Sequence, residues 1–356
     1  MTGQGGTASH TSTDAAASLF ALMDTLAFVS RHMHPPRIGA LAAQVRQPAA
    51  ALRRVEAHLA EPSLQQAAAL ALCACNGLEE ADAADNPVAE AYRAMRQYQR
   101  ALAVLVAAEG LPPVSTFLLP PDLRQDSAVH ARLAAPTAGQ SGVFHEKNEL
   151  TERGGFSVYV PPLRDQPEAW PLVMALHGGS GHGRMFLSNW VPPARARGFM
   201  VVAPTAVGAT WSLMEPEIDT ANLAAILDHV SSHWSVDADQ VLLSGMSDGG
   251  TFTLLGGLDS DAPFTHLAPV AASFHPMLLS FTEPARLSGL PIYLTHGALD
   301  WMFPVSVGRS AHRALAAAGA FVTYREVPDL SHTYPVDEQP AILDWFLATP
   351  GKRGQK

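Results

Sequence analysis

Gly245-Met246-Ser247-Asp248-Gly249 decides the fold of this chain because of what stands on either side of it. The mostly apolar run at 240–244 predicts a strand, and 251–255 can continue as a helix. Small residues around a serine permit a strained strand-to-helix turn, from which the hydroxyl projects at the top of a sheet. This pentapeptide also occurs by chance, so the prediction that Ser247 is a nucleophile depends on the segments that accompany it.

A glycine-rich loop precedes this turn in the chain. The continuous apolar run at 171–176 predicts a strand covered on both faces, and it leads into His177-Gly178-Gly179-Ser180-Gly181-His182-Gly183. Glycines let backbone amides approach a ligand closely. We predict an oxyanion hole formed by the amides of Gly179 or Ser180 and of Asp248. A flexible turn or a phosphate loop is the alternative, although no lysine follows at the P-loop position.

A candidate acid follows the serine. Residues 291–295 predict another strand, and Asp300 lies just past its carboxyl end, where open α/β sheets place catalytic groups. Pro304 allows a helix to begin near Val305. The alternative role for Asp300 is to cap that helix. Asp329 is a rival acid, but it lies in the same loop as the candidate base.

The candidate base is His332. Residues 321–327 predict a last strand, rich in β-branched and aromatic residues, and the loop after it carries His332 before a terminal helix at 336–347. The chain has 15 histidines. Position after the final strand distinguishes His332, since a histidine there can reach back over the sheet to a serine hydroxyl.

The order serine, acid, histidine is that of the α/β-hydrolases and predicts a serine hydrolase. The expected fold is a mostly parallel sheet flanked by helices, with an N-terminal all-helical extension. Residues 154–347 resemble the phospholipase/carboxylesterase and poly(3-hydroxybutyrate)-depolymerase-like branch of that superfamily. The resembling motifs are H-G-G-S-G-H-G (177–183), Trp211, G-M-S-D-G-G (245–250), H-G-A-L-D-W-M-F-P (296–304) and S-H-T-Y-P (331–335).

The resemblance implies an esterase that cleaves carboxylic esters through an acyl-serine intermediate, with no metal and no cofactor. Two departures are visible. Asp248 stands where many relatives carry a neutral residue, and Ser331 and Thr333 flank His332 where relatives more often have glycine and tryptophan. Two further functions stay open: an amidase or peptidase with the same triad, and a catalytically silent binding protein that retains the fold.

The composition restricts the classes of partner that the protein can be expected to bind. A chain of 356 residues with a net charge of −10 and no basic block disfavours nucleic acid or an anionic membrane surface as a partner. No run of about 18 apolar residues is present to span a bilayer, and the N-terminus lacks the basic region of a secretory signal. Cys73 and Cys75 are two residues apart in a helical pattern and face different ways, so we expect free thiols. A cytoplasmic protein that acts on a small-molecule ester is the prediction.

The domain organisation is predicted from pattern and turn residues. We expect a disordered tail at 1–12, a helical domain at 13–112 and the catalytic domain at 113–350, which opens on a hairpin of 143–148 and 156–160. Helical stretches are predicted at 14–32, 38–60, 63–76 and 87–109, with Pro48 ending or kinking the second and Asn76-Gly77 closing the third. The helical domain could serve as a lid over the active site or as a docking or homo-oligomerisation module, since periodicity does not distinguish these roles.

Substrate contacts are harder to predict than the catalytic groups. Trp211 follows the predicted strand at 199–204, Trp301 adjoins the candidate acid, and Phe274-His275 follow another apolar run at 269–273. Each is a candidate pocket wall, and each could equally be ordinary packing.

Overall fold

The computed structural model describes residues 5–133 and 140–352, with side chains from residue 12 onward. Two compact units divide between Arg124 and Gln125. This division falls later than the predicted boundary at 112/113, because the segment after Pro112 is tied to the first helix. Phe117 stacks on Phe20, and Arg124 forms a two-pronged ion pair with Asp24 at 2.6 and 2.8 Å.

The first unit is helical throughout. Its four long helices are α1 Gly5–Arg31, α2 Ile38–Val55, α3 Pro62–Ala81 and α4 Pro87–Ala107, followed by the short α5 Pro112–Phe117. Asn86 caps α4 by accepting the amide of Ala89 at 3.1 Å. Of the predicted disordered tail, residues 1–4 lie outside the described part of the chain. The backbone from Gly5 extends α1, since adding turns to a packed helix costs little once it is nucleated.

Two residues or turns predicted to interrupt these helices do not end them. Helix α3 continues through Asn76-Gly77, because Gly77 allows close approach of α4: a Cβ there would lie 2.9 Å from that of Ala94. Helix α2 also runs through Pro48. Its buried residues Val45 and Ala49 flank the proline and hold both halves against the core, which offsets the lost hydrogen bond.

Helix α1 is more apolar than the sequence prediction allowed. Over Ser12–Arg31 it is long and apolar enough to cross a membrane, by length and composition alone, with a mean hydropathy of 1.2. A buried core helix and a signal sequence near an N-terminus have the same length and composition. The residues Ala15, Leu19, Leu22, Leu26 and Val29 are fully buried at helical spacing, and α1 packs against α2, α3 and α4. One face of α1 is therefore buried within the helical unit.

The second unit is built on an eight-stranded mixed sheet. Its strands are β1 Gly142–Glu146, β2 Phe156–Val160, β3 Trp170–Leu176, β4 Met200–Pro204, β5 Val236–Met246, β6 His266–Val270, β7 Pro291–Gly297 and β8 Phe321–Val327, in the spatial order β1-β2-β4-β3-β5-β6-β7-β8. Strands β3 to β8 are parallel, and β2 is antiparallel to both β1 and β4. The predicted hairpin, the mostly parallel sheet and the α/β fold class are confirmed.

Helices cover this sheet. They are α6 Ser127–Leu133, α7 Gly183–Phe186, α8 Val191–Arg197, α9 Glu217–His233, α10 Asp248–Gly257, α11 Pro284–Leu287, α12 Val305–Ala317 and α13 Gln339–Ala348. Helix α10 packs on β5 and β6, and α12 packs on β7 and β8. Strands β2, β4, β6 and β7 are buried along their whole length, as expected for strands covered on both faces.

The carboxyl ends of the parallel strands meet at one edge of the sheet. Leu176 pairs with Gly245, and Met246 pairs with Val270. Strand β6 ends at Val270, because Ala271 takes a left-handed conformation with φ of 47°. The loops that follow β3, β5, β6, β7 and β8 therefore emerge side by side.

Candidate active site

Ser247 lies on a strained turn between β5 and α10. Its φ of 56° and ψ of −118° are unfavourable for a residue with a side chain. The turn closes because Gly245 and Gly249, two residues away on either side, have no side chain. A Cβ on Gly245 would collide with the carbonyl of Gly249, and a Cβ on Gly249 would collide with the carbonyls of Leu176 and His177. The flanking glycines thus allow β5 and α10 to approach closely enough to expose the hydroxyl at the sheet edge.

A hydrogen-bonded chain leads from this hydroxyl to a carboxylate. The Nε2 atom of His332 lies 2.9 Å from the Oγ atom of Ser247, and Nδ1 lies 2.8 Å from Oδ2 of Asp300. Asp300 is on the loop after β7 and His332 on the loop after β8, so three separate strands contribute. The rival acid Asp329 is exposed, and the carboxylate that meets Nδ1 is that of Asp300.

The carboxylate of Asp300 is held in its ionised form. Burial alone would raise the pKa of Asp300. The hydrogen bond and charge of His332 and the amides of Phe303 and Met302 outweigh burial, and the pKa lies below its usual value. Those two amides donate to Oδ1 at 2.8 and 2.9 Å, which leaves Oδ2 for the histidine.

The imidazole is enclosed by aromatic rings and is shielded from water. Phe303 meets His332 edge to face at 5.3 Å between centroids, and Trp301 does so at 6.5 Å. His332 is 3% exposed and Ser247 is 8% exposed. Low exposure strengthens the interactions along the chain of hydrogen bonds.

The glycine-rich loop after β3 lies beside the nucleophile turn: a Cβ built on Gly178 would lie 3.7 Å from that of Ser247. Gly181 donates its amide to the carbonyl of Gly178 at 3.0 Å. In the described part of the chain, no acceptor pairs with the amides of Gly179 or Ser180. Asp248 is the first residue of α10, so its amide lacks an intrahelical acceptor. The three amides can therefore receive a negatively charged oxygen.

His177 fixes this loop as a neutral ring. Its Nε2 accepts the amide of Ala206 at 3.1 Å, so Nδ1 carries the proton and donates to the carbonyl of Gly178 at 2.7 Å. Burial lowers the pKa of His177 to about 4. Sequence reasoning quoted this histidine only as part of the motif.

Trp211 and Arg153 fasten the glycine-rich loop to the loop after β4, and Thr210 fastens that second loop to the start of α10. Sequence reasoning missed these roles. Trp211 donates its indole N–H to the carbonyl of His177 at 2.7 Å. Arg153 donates to Gly181 on one side, at 2.7 Å, and to Gly208 and Ala209 on the other. Thr210 donates to Oδ2 of Asp248 at 2.7 Å. The role of Arg153 could not be predicted from the sequence, because its hydrogen-bond partners are backbone carbonyls, which every residue has.

His296 is a second buried histidine close to the acid. Its Nε2 donates to the carbonyl of Phe303 at 2.8 Å and lies 3.6 Å from Oδ2 of Asp300. This bond holds the backbone that donates to Oδ1 of Asp300. Its position at the start of H-G-A-L-D was the available signal.

The three predicted substrate contacts lie in different places. Trp211 is 2% exposed and packs between His177 and Phe252, so the prediction that it lines a substrate pocket is replaced by its role in holding the loop. Trp301 is 42% exposed beside His332 and is free to meet a substrate. His275 lines an open cavity of about 310 Å³ together with Leu213, Thr251, Leu255, Ser273, Phe274, Leu278 and Phe281.

This cavity adjoins the nucleophile. Thr251 follows Ser247 by one helical turn, donates to its carbonyl at 3.1 Å and accepts the amide of Ser273 at 3.0 Å. The lining is largely apolar and carries no Asp, Glu, Lys or Arg. Over the described residues, no group of three or more His, Cys, Asp or Glu side chains could hold a metal ion.

The order of strands in the sheet and the serine–histidine–aspartate geometry are those of the α/β-hydrolase fold. Residues 217–349 match the model of the phospholipase/carboxylesterase family. The resemblance drawn from the motifs is confirmed over that segment, which contains Ser247, Asp300 and His332.

Individual relatives are similar over parts of the chain. A bifunctional acetylxylan esterase/xylanase from Neocallimastix patriciarum is 30% identical over 134 residues, which cover 36% of this chain and 19% of that protein. Acyl-protein thioesterase 1 from Neurospora crassa is 25% identical over 115 residues, covering 31% and 46%. The chain thus spans less than half the length of these two relatives. A solved thermostable esterase is 19% identical, with a TM-score of 0.47 over 59% of this chain and 63% of its own.

Proposed function

We propose that the protein cleaves carboxylic esters of small molecules through an acyl-Ser247 intermediate. The observation that carries this proposal is the chain of hydrogen bonds from Ser247 through His332 to Asp300, at 2.9 and 2.8 Å. The esterases among the relatives support it. In this proposal Asp300 is the orienting acid, and the amides of Gly179, Ser180 and Asp248 form the oxyanion hole.

Acylation follows from this geometry. The Oγ atom of Ser247 attacks the ester carbonyl while its proton passes to Nε2 of His332. The carbonyl oxygen becomes negative and is met by preorganised amides, each typically worth about 3–4 kcal/mol of barrier lowering. The tetrahedral intermediate then collapses, and His332 returns the proton to the leaving alcohol. Asp300 stabilises the imidazolium formed in between.

Deacylation repeats these steps with water as the nucleophile. Water gives a proton to Nε2 of His332 and attacks the acyl carbon, and the proton then returns to Oγ of Ser247 as the carboxylic acid leaves. The reaction needs no metal or cofactor. Short- to medium-chain acyl groups fit the proposal, since the cavity beside Thr251 is apolar and has only about 310 Å³.

The type of substrate, the location and the role of the helical unit belong to the same proposal. A net charge of −10 supports a small-molecule substrate rather than a nucleic acid. Two free thiols, Cys73 and Cys75, are compatible with a cytoplasmic location. The helical unit holds none of the proposed catalytic residues, and we assign it a lid or docking role.

Covalent labelling tests the nucleophile. A fluorophosphonate probe should label the wild-type protein and the control Ser232→Ala, an exposed serine on α9, whereas Ser247→Ala should remain unlabelled. Full labelling of Ser247→Ala would place the nucleophile elsewhere.

Hydrolysis of p-nitrophenyl esters of rising acyl length, in parallel with the matched anilides, tests the reaction. The expected result is turnover of the esters with a preference for short acyl groups. Faster cleavage of anilides would identify an amidase, and labelling without any turnover would identify a silent binding protein.

A further inference from the structure

Asp248 is the one charged residue inside the nucleophile motif. Its amide belongs to the proposed oxyanion hole, and its carboxylate packs against the facing loop. The atoms nearest to a Cβ built on Gly179 are all from this carboxylate, with Oδ2 at 2.7 Å. Any side chain at 179 would therefore collide with it, so the glycine and the aspartate occupy one shared space.

This carboxylate carries its charge without a cationic partner. Its hydrogen-bond donor is Thr210, whose hydroxyl lies 2.7 Å from Oδ2. Among the described residues no Lys or Arg forms an ion pair with it. Arg153, in the connection between β1 and β2, directs its N–H groups to the carbonyls of Gly181, Gly208 and Ala209.

The start of α10 favours this negative charge, since a helix N-terminus stabilises an anion. The glycine-rich loop itself contains no Lys or Arg. His177 is neutral near pH 7, because burial lowers its pKa to about 4. The half-buried carboxylate of Asp248 is thus a negative charge beside Gly179 of the proposed oxyanion hole, and no ion pair among the described residues neutralises it.

A negative charge at this place acts on the transition state. It repels the developing oxyanion of a neutral ester, and in a partly buried setting such repulsion is not fully screened. A positive charge on the substrate close to the carbonyl reverses the sign of this effect. A cation held beside Asp248 also attracts the developing oxyanion, so the interaction is stronger in the transition state than in the ground state and raises the rate.

We propose that Asp248 is a specificity-determining residue that makes the enzyme prefer esters bearing an ammonium group within a few bonds of the scissile carbonyl. This inference rests on the proposed ester hydrolysis and adds the charge of the substrate to it. The ammonium group can lie on the acyl part or on the alcohol part. The overall charge of −10 acts in the same direction by attracting cationic substrates.

Two pairs of substrates with equal shape and different charge test the preference. On the acyl side, the p-nitrophenyl esters of β-alanine and of butanoic acid are compared. On the alcohol side, acetylcholine is compared with 3,3-dimethylbutyl acetate. Each kcat/KM is divided by the rate of the uncatalysed hydrolysis. The expected result is that at least one pair favours the cation by about tenfold.

The matched variants are Asp248→Asn and Asp261→Asn. Both remove one negative charge. The amide oxygen introduced by Asp248→Asn can still accept the Thr210 hydroxyl, whereas Asp261 is exposed beyond the far end of α10. Asp248→Asn should lower the charge preference by about tenfold, and Asp261→Asn should leave it unchanged. Fluorophosphonate labelling of Ser247 reports whether each variant is folded.

Salt dependence gives a readout that needs no variant. The wild-type preference should weaken as potassium chloride rises, because ions screen a half-buried charge. An equal preference in wild type and Asp248→Asn would overturn the inference, as would a wild type without charge preference at low salt. If no ester is cleaved at all, the proposed function fails instead, and the two failures are distinguishable.

Discussion

At the scale of single residues, opposing effects determine the pKa of Asp300. Burial disfavours its charge, and the hydrogen bonds from His332, Phe303 and Met302 favour it, with the net result that its pKa is lowered. Both oxygens accept hydrogen bonds: Oδ1 from two amides and Oδ2 from the imidazole. Such a carboxylate remains ionised and fixes the imidazole tautomer whose Nε2 faces Ser247.

Exchanging the Asp300 carboxylate for an amide should show how much it contributes by orienting His332, because the volume of the side chain stays the same. Asp300→Asn keeps the volume but offers an N–H group or a neutral oxygen to His332, so the histidine loses its orienting charge. We expect kcat for a p-nitrophenyl ester to fall by about 10⁴, with little change in the circular dichroism spectrum. Asp329→Asn is the matched control. A large loss in Asp329→Asn with activity retained in Asp300→Asn would reverse the assignment of the acid.

The candidate catalytic residues could be found from sequence because strand order determines where loops emerge. Ser247, Asp300 and His332 each follow an apolar run, and parallel strands bring such positions to one edge. His296 and Trp211 could not be assigned in the same way. Their roles depend on hydrogen bonds to the carbonyls of Phe303 and His177, and a backbone carbonyl leaves no trace in the amino-acid sequence.

At the scale of elements, the glycine-rich loop needs external support. Its glycines give it little packing of its own, and its shape is set by the loop after β4. Arg153 is the largest of these supports, since it bridges Gly181 to Gly208 and Ala209 through three donors. In the proposed oxyanion hole, this bridge would hold the amides of Gly179 and Ser180 in place before a substrate arrives.

Removing this bridge should affect the chemical step more than binding. Arg153→Met retains the aliphatic stem and loses all three donors, so the loop becomes free to move. We expect kcat for a short ester to fall by about tenfold to a hundredfold, with KM changed much less. Arg184→Gln, which breaks a surface pair with Glu149, is the control. A rise in KM at unchanged kcat would show that Arg153 serves substrate binding instead.

Strands and helices were predictable to different degrees. Strand β8 has the predicted bounds, because alternation of side chains and flanking turns define it. Helix α3 runs past Asn76-Gly77 to Ala81, since the glycine serves close packing against Ala94. A glycine that permits a helix contact and one that ends a helix look alike in a single sequence.

At the scale of the whole molecule, buried neutral histidines make stability depend on pH. Burial lowers the pKa of His177 to about 4, and burial is also the main cause of the lowered pKa values of His145, His182 and His266. In the unfolded chain these rings take up a proton near pH 6.5. Between that pH and their folded pKa values the unfolded state binds more protons, so acid favours unfolding.

His177 should contribute strongly to this dependence of stability on pH. The interval from the ordinary pKa of 6.5 to about 4 corresponds to about 3 kcal/mol, which is present above pH 6.5 and is lost as the pH falls to 4. We expect the free energy of unfolding of the wild type, measured with urea at several pH values, to fall steeply across this window. In His177→Gln, which cannot take up the proton, the fall should be smaller by about that amount, although the variant is less stable at pH 7. The exposed His275→Gln should follow the wild type, and parallel curves for wild type and His177→Gln would show that the acid sensitivity arises elsewhere.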